Sequence, residues 1–524
     1  MDEYKVPSRG IATRCLNGYH VFAHNSPAEV SRVFPSFKHA EVSGQQYCAV
    51  PATLDHSRVL TNMGYHVSSP IRYDYKWSGQ KVPRWYQVET SEFFTLYPRA
   101  HCHSKQRTGK TLSALWAADF LMERGLINRC LVVAPLSTLS DVWENELFFE
   151  FPHRTCAVLH GSREKRHKLL DIPHDFYIIN HDGPNVVLNA LLAKTGIDCI
   201  IIDEIAEFKS AQTHKWKALK KVCNNKTYVW GLTGTPTPQA PTDAFGQMKL
   251  VTPENFTGSF TRFKDMTMQK ISLWKWIPRK DCEKMIASAL RPSIQFGREV
   301  CTDLEPCIID RKVELSEEQK KYYRKMKQDA ILEFENGKQV TAVNSAVLAG
   351  KIMQISTGFV YDEKGVVVEF DHTPRMNVLK ELIAENDEKV IVLAPFTGAL
   401  HILKKELSKT WSCVIVDGST PKNQRDQIFQ AFRTQADPHI ILANAACMAH
   451  GLDLTAATLT IWYAPTNKNS IYAQANARMD GSKQKIKIDI ARIYATPEEK
   501  ALYTSLEGKT KFQDVILDLL KKPM

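Results

Sequence analysis

Apolar positions along the chain repeat one rhythm twice. Between about 83 and 240, short continuous apolar runs alternate with stretches of helical spacing. Leu131-Val132-Val133-Ala134, Phe176-Tyr177-Ile178-Ile179, Cys199-Ile200-Ile201-Ile202 and Tyr228-Val229-Trp230 are each of strand length. Continuous β-branched runs of this kind suit a parallel sheet buried on both faces. Thr111–Arg124 precedes them, with Leu112, Leu115, Trp116, Phe120 and Leu121 on one side and Gly125 at its end, which predicts an amphipathic helix. The rhythm returns from about 376, with strands predicted at Val390–Leu393, Cys413–Val416, Ile440–Leu442 and Thr458–Trp462.

Two stretches break it. Residues 240–305 are rich in aromatic and basic side chains (Phe256, Phe260, Arg262, Phe263, Lys264, Trp274, Lys275, Trp276, Arg279, Lys280) and read as a helical insertion. Residues 316–355 read as helix, opening with Ser316 as N-cap before Glu317-Glu318. Residues 1–80 alternate only briefly (His20–Phe22, Tyr47–Val50) around a helix-like segment from Thr53 to Met63, closed by Gly64. No internal repeat of 20–50 residues is read. The pattern predicts an α/β chain with a small α+β module at 1–80, one lobe at 81–305, a helical linker at 306–375 and a second lobe at 376–524.

Composition narrows the class. With 524 residues, 44% apolar and 24% charged, the chain has the make-up of a folded globular protein, not a disordered or fibrous one. It has no apolar run long enough to span a bilayer. Its first residues, MDEYKVPSRG, lack the apolar core of a secretion signal, so a cytoplasmic chain without a membrane partner is expected. The 12 cysteines are scattered without a CxxC pair, which argues against structural zinc and a disulfide framework. The formal charge of +11 is compatible with a polyanionic partner.

Ser104-Lys105-Gln106-Arg107-Thr108-Gly109-Lys110-Thr111 matches the C-terminal half of a phosphate-binding loop. Such a loop wraps phosphate with backbone N–H groups at a helix N-terminus. Gly109 permits the close approach, Lys110 reaches the β/γ-phosphates and Thr111 holds Mg²⁺. A lone Gly-Lys-Thr also arises by chance. Asp203-Glu204, however, ends an apolar run in the same lobe, at the sheet end where ligands bind in such folds. Asp203 can complete a Mg²⁺ shell, and Glu204 can take a proton from an attacking water. Thr233-Gly234-Thr235, after the next run, can sense a γ-phosphate, although a plain turn explains it in isolation.

These motifs occur in the order of a superfamily 2 helicase: Pro83–Gln87, Gly109–Thr111, Ala134–Leu139, Asp203-Glu204 and Leu232–Pro236. Val390–Thr397, Asp417-Gly418-Ser419, Gly451-Leu452-Asp453-Leu454-Thr455 and Gln474-Ala475-Asn476-Ala477-Arg478 continue the series. The tail resembles the Swi/Snf branch, phage and prophage members above all, over about 80–510. The resemblance implies two RecA-like lobes, ATP as substrate with Mg²⁺, and movement along double-stranded DNA by its phosphate backbone, independent of sequence. It implies that Gln87 reads the adenine edge, that Gly451 and Asp453 belong to the nucleotide site, and that Gln474 and Arg478 face the γ-phosphate. It also implies backbone contacts from Ser137, Thr138, Gly161 with Ser162 and Arg163, His181, Thr397, Gly418, Ser419 and Met448. Hydroxyls and glycine turns suit phosphate oxygens. Arg262, Lys264, Lys275, Arg279 and Lys280 either extend that track or form a basic helical face. Residues 1–80 carry no motif and read as a packing or clamp module, with docking of a protein partner as the other reading.

Three positions depart from the family. Ser104 replaces glycine, Ala206 stands where many relatives carry histidine, and Gly481 replaces a second finger arginine, with Asp480 beside it and Lys483 nearby. Lysine lacks the planar fork of arginine. The chain is therefore expected to be a DNA translocase driven by ATP. The other reading is a nucleotide-responsive DNA-binding protein with impaired hydrolysis.

Overall fold

The apolar runs of the first lobe assemble, in the computed structural model of the protein, into one sheet of seven strands. Their order is Ser293–Ile294, Arg99–Cys102, Tyr228–Leu232, Ile197–Asp203, Arg129–Ala134, Phe176–Asn180 and Cys156–Leu159, and every neighbouring pair is parallel. The structure describes residues 14–24, 26–105, 108–193, 196–224, 226–272, 276–297, 300, 307–335, 350–361, 366–448, 454, 456–477 and 488–521. Cys130–Ala134, Phe176–Ile179 and Cys199–Ile202 are buried, as strands covered on both faces must be. A second sheet is also all parallel, in the order Cys307–Lys312, Asp489–Tyr494, Ala457–Trp462, Lys389–Leu393, Ile440–Ala443 and Cys413–Val416. By packing, the chain divides into Met1–Gly297 with Ile516–Met524, and Arg298–Val515. Cys307–Lys312, within the stretch expected as helical linker, is a strand, followed by the helix Glu317–Glu335. Among the described residues no helix is long and apolar enough to cross a membrane.

The helix Lys110–Glu123 departs from its expected amphipathicity, since every residue from Leu112 to Met122 is buried. Its second face is covered by the helix Trp85–Leu96, whose Ser91 hydroxyl donates to the Ser113 carbonyl at 2.9 Å. Tyr75, before that helix, and His153 and Arg154, well after it, add a polar clasp. Buried Asp119 accepts from the Tyr75 hydroxyl (2.6 Å), the Arg154 guanidinium (2.6 Å) and the His153 ring (3.0 Å). A buried carboxylate is tolerated only with such partners.

The N-terminal module holds a repeat that the sequence pattern hides. Arg14–Leu16 and Tyr19–Ala23 form a hairpin followed by the helix Pro27–Val33; Lys38–Val42 and Gln45–Pro51 form another, followed by the helix Leu54–Asn62. Both hairpins turn on two residues with positive φ, Asn17-Gly18 (48° and 79°) and Ser43-Gly44 (53° and 79°). That is the turn type whose twist matches paired strands. Gly18 and Gly44 are 26 residues apart, as are Ser31-Arg32-Val33 and Ser57-Arg58-Val59. The expectation of no repeat fails because so few other positions match. The four strands pair in the order first, second, fourth, third, so the two units share one antiparallel sheet.

The second unit is pinned by one buried ion pair. Arg375 donates to both carboxylate oxygens of Glu499 (2.9 and 3.2 Å) and to the carbonyls of Ser356 (3.0 Å), Ile493 (3.0 Å) and Tyr463 (2.9 Å). Glu499 also accepts from the Ser356 hydroxyl (2.9 Å) and the Ala495 N–H (2.7 Å). Every donor and acceptor has a partner, so removing one side strands a buried charge. Glu499→Ala is expected to destabilise this unit by about 3–5 kcal/mol. The check is denaturant unfolding followed by hydrogen exchange of Ala457–Trp462 and Asp489–Tyr494; an unchanged midpoint refutes it.

Candidate functional site

The strand Arg99–Cys102 delivers the glycine-lysine-threonine loop. Beyond its end, the His103 and Lys105 N–H groups still donate to the Ile294 and Phe296 carbonyls (2.8 and 3.0 Å). Ser104 is buried, and its hydroxyl accepts from the Phe296 N–H at 3.0 Å. The serine in place of glycine thus fastens the start of the loop to the edge segment. Gly109 begins the helix Lys110–Glu123 at φ +74°, and a Cβ there would lie 2.1 Å from Gln87 Nε2. The positive φ favours glycine at 109, and a Cβ there would also displace the end of the Gln87 side chain. The other end of the Gln87 amide accepts from the Arg84 N–H at 2.9 Å. The Lys110 ammonium donates to the Ser104 and Lys105 carbonyls (2.7 and 3.0 Å), with Thr111 beside it in the first helical turn. Gln106 and Arg107 lie outside the described residues.

Two strands further across the sheet, Ile197–Asp203 brings the acidic pair to the same end. Asp203 Oδ2 accepts from the Trp143 indole N–H and Oδ1 from the Glu204 N–H, both at 3.0 Å. The His181 ring donates to the Asp203 carbonyl at 2.8 Å. Burial, then the neighbouring Glu204 charge, push the Asp203 carboxyl up to about 6, against the pull of Trp143 and Lys110. Glu204 sits at φ +46°, a left-handed conformation disfavoured for a side chain with a Cβ. There its Oε2 accepts from the Thr233 hydroxyl at 3.2 Å. Thr233 belongs to the loop after the intervening strand: its N–H donates to the Cys102 carbonyl (3.0 Å), and its hydroxyl accepts from the Thr235 N–H (3.2 Å). Thr233, Gly234 and Thr235 are all buried. With Ala206 in the histidine's place, the Glu204–Thr233 bond joins the acidic pair to this segment directly.

The remaining candidates divide by exposure. Gly161, Ser162 and Arg163 are exposed, and Ser162 caps the helix Arg163–Asp171 through the Lys165 N–H (3.3 Å). Thr397 is exposed at the start of Thr397–Leu407, as are Gly418 and Ser419 in a turn held by Asp417, whose Oδ1 accepts from the Ser419 N–H (2.9 Å) and hydroxyl (2.6 Å). Thr138, His181, Met448 and Gln474 are buried. The Thr138 hydroxyl turns back to the Pro135 carbonyl at 3.0 Å. Ser137 lies in the turn Leu136–Thr138. In the insertion, the Lys264 ammonium lies 3.8 Å from the Trp276 ring centroid, and Arg279 donates to the Asp265 carbonyl at 2.6 Å. Gly451, Asp453, Arg478, Asp480, Gly481 and Lys483, with Trp274 and Lys275, lie outside the described residues. Sequence reasoning missed Trp143, because a single buried tryptophan in a helical pattern carries no local mark of a polar role.

Comparison with known proteins matches this arrangement to one family. A family model described as SNF2-related domain matches residues 106–356, and one described as helicase conserved C-terminal domain matches 374–480. An uncharacterized ATP-dependent helicase of Mycoplasma genitalium is 26% identical over 423 residues, covering 78% of this chain and 40% of its own length. Putative protein p41 of Acyrthosiphon pisum secondary endosymbiont phage 1 is 25% identical over 330 residues, covering 60% of this chain and 72% of its own. The Sulfolobus solfataricus SWI2/SNF2 ATPase core, solved in complex with dsDNA, is 21% identical and covers 85% of this chain and 95% of its own, with a TM-score of 0.40. The chain thus spans about 40% of the length of the mycoplasma relative.

The left-handed backbone at 204 makes a stability prediction. Glu204→Gly is expected to stabilise the first unit by about 1 kcal/mol, because it relieves the positive φ. Glu204→Ala removes the same carboxylate but keeps a Cβ, and should gain less. Thermal unfolding of the two variants decides the matter; equal midpoints would mean that the backbone at 204 is not strained.

Proposed function

The chain belongs to the Swi/Snf-like branch of the superfamily 2 helicases, with its two RecA-like lobes, and from that premise we propose that it is an ATP-driven translocase on double-stranded DNA. One observation carries the reading: three adjacent parallel strands bring Lys110, the Asp203-Glu204 pair and Thr233 to one end of a sheet. In this reading the N–H groups around Gly109 and the Lys110 ammonium hold the ATP phosphates, and Gln87 reads the adenine edge. The Lys110 ammonium exchanges the carbonyls of Ser104 and Lys105 for phosphate oxygens. The Thr111 hydroxyl and the Asp203 carboxylate are hard oxygen donors of the kind Mg²⁺ takes. Bound there, Mg²⁺ neutralises charge on the phosphates.

Glu204 receives the proton of the attacking water, and its bond to Thr233 passes the state of the site to Thr233-Gly234-Thr235. Gln474, Arg478, Gly451 and Asp453 take the nucleotide-binding roles that the family resemblance gives them. Positive charge supplied in this way accelerates phosphoryl transfer by about 10³–10⁵. Exposed Gly161, Arg163, Thr397, Gly418 and Ser419, with Ser137, meet the DNA phosphates. The buried Thr138, His181 and Met448 hold the loops that do so. Residues 1–80 are a docking module for a protein partner, supported by the fully exposed edge strand Lys38–Val42. The setting is the cytoplasm of a bacterial or phage-infected cell.

The purified chain should hydrolyse ATP, linear duplex DNA should raise the rate, and Lys110→Ala should abolish turnover without unfolding the chain. Activity surviving in that variant refutes the site. DNA affinity should fall with salt along a log–log slope of about 0.9 per phosphate contacted; a flat response refutes backbone tracking. Nucleotide binding without turnover favours the hydrolysis-impaired reading, and Gly481→Arg then restores turnover.

A further inference from the structure

We propose that Trp143 is a positioning residue that fixes the Asp203 carboxylate for the metal and ties it to the chain segment that meets DNA. This rests on the reading of Asp203 as a Mg²⁺ ligand and of Ser137, in the turn Leu136–Thr138, as part of the DNA contact.

The segment after the strand Arg129–Ala134 is unusual in its winding. A 3₁₀ turn, Leu136–Thr138, runs straight into a π-helix, Leu139–Glu144, which continues as the α-helix Asn145–Glu150. π-helical turns are rare and frequently mark functional sites. Trp143 lies within this one. Its ring is fully buried in the first lobe's core, and its Nε1–H points at Asp203 Oδ2 at 3.0 Å. The other carboxylate oxygen is held by the Glu204 N–H, so the two bonds together set the rotation of the carboxyl group. An indole N–H can only donate, so the bond is strongest to an ionised carboxylate, the form a metal takes. Partners that orient a metal ligand typically change metal affinity about 10–100-fold when removed.

The same segment has an outward end. Leu136 is 57% exposed, and Thr138 closes the turn on the Pro135 carbonyl. Trp143 follows Leu136 by seven positions in one continuous run of helical turns, so movement of the exposed end is transmitted to the indole. Coupling of this kind is reciprocal: DNA that tightens Mg²⁺–nucleotide binding is itself bound more tightly in its presence.

The test is a Mg²⁺ titration of nucleotide binding by calorimetry, with and without linear duplex DNA, on the full-length wild type and Trp143→Phe. Phenylalanine keeps a ring in the core but has no donor. The variant should need about tenfold more Mg²⁺ for half-maximal effect. Its nucleotide affinity without Mg²⁺ should match the wild type, and DNA should no longer tighten Mg²⁺–nucleotide binding. A variant with the wild-type Mg²⁺ dependence and DNA effect overturns the proposal and leaves the reading of Asp203 standing; a wild type without any Mg²⁺ dependence overturns both. Indole ¹⁵N resonances of the wild-type protein give a check that needs no stable variant. The Trp143 signal should shift when Mg²⁺ is added to the nucleotide complex and again with DNA, and a signal unmoved by either refutes the tie.

Discussion

Strands buried on both faces leave reactive groups only one place to stand. In the central strands of the first all-parallel sheet the interiors are apolar, so polar residues collect where those strands end and the loops begin. In the first lobe Lys110, the Asp203-Glu204 pair and Thr233 follow three neighbouring strands, and the Thr233–Glu204 bond reflects that adjacency. Sheet order, more than any one loop, brings together residues about a hundred positions apart in the chain.

The cost of that assembly appears in specific places. Asp203 is pushed up to about 6 by burial and by the charge next to it, and Glu204 adopts a left-handed backbone to reach Thr233. Such tension persists where the surroundings over-determine it. Trp143, His181 and the Glu204 N–H hold Asp203 from three directions. Ser104, anchored by the Phe296 N–H, steadies the opposite side of the site. Two other buried charges are paired: Asp119 with Arg154 in the first unit, and Arg375 with Glu499 in the second.

How far the sequence could be read followed from how local the signal was. The apolar runs ending at Ala134, Ile179 and Ile202 announced central strands, because burial on both faces demands continuous apolar residues. Arg99–Cys102, Cys307–Lys312 and Asp489–Tyr494 were not legible, since charged residues and histidine interrupt them. The helix Lys110–Glu123 read as one-sided because Ser113, Ala114, Ala117 and Ala118 are too small to mark a second apolar face, yet the helix packs against Trp85–Leu96 through Ser113. In the candidate site, Gly109, Lys110, Asp203 and Glu204 were marked by spacing. Trp143 and the inward turn of His181 were not, because each depends on a hydrogen bond to a residue tens of positions away. The repeat in the N-terminal module escaped notice because two turns and a helix start need only a few matching residues.

The central claim is that the end of the first sheet is a triphosphate site. Equilibrium titration of the wild-type chain with a non-hydrolysable ATP analogue in Mg²⁺ tests it most directly, with hydrogen exchange of the loop 103–111 read alongside. The account predicts saturable binding of one nucleotide per chain, with slowed exchange in that loop. No uptake, or uptake that leaves the loop unprotected, would contradict it.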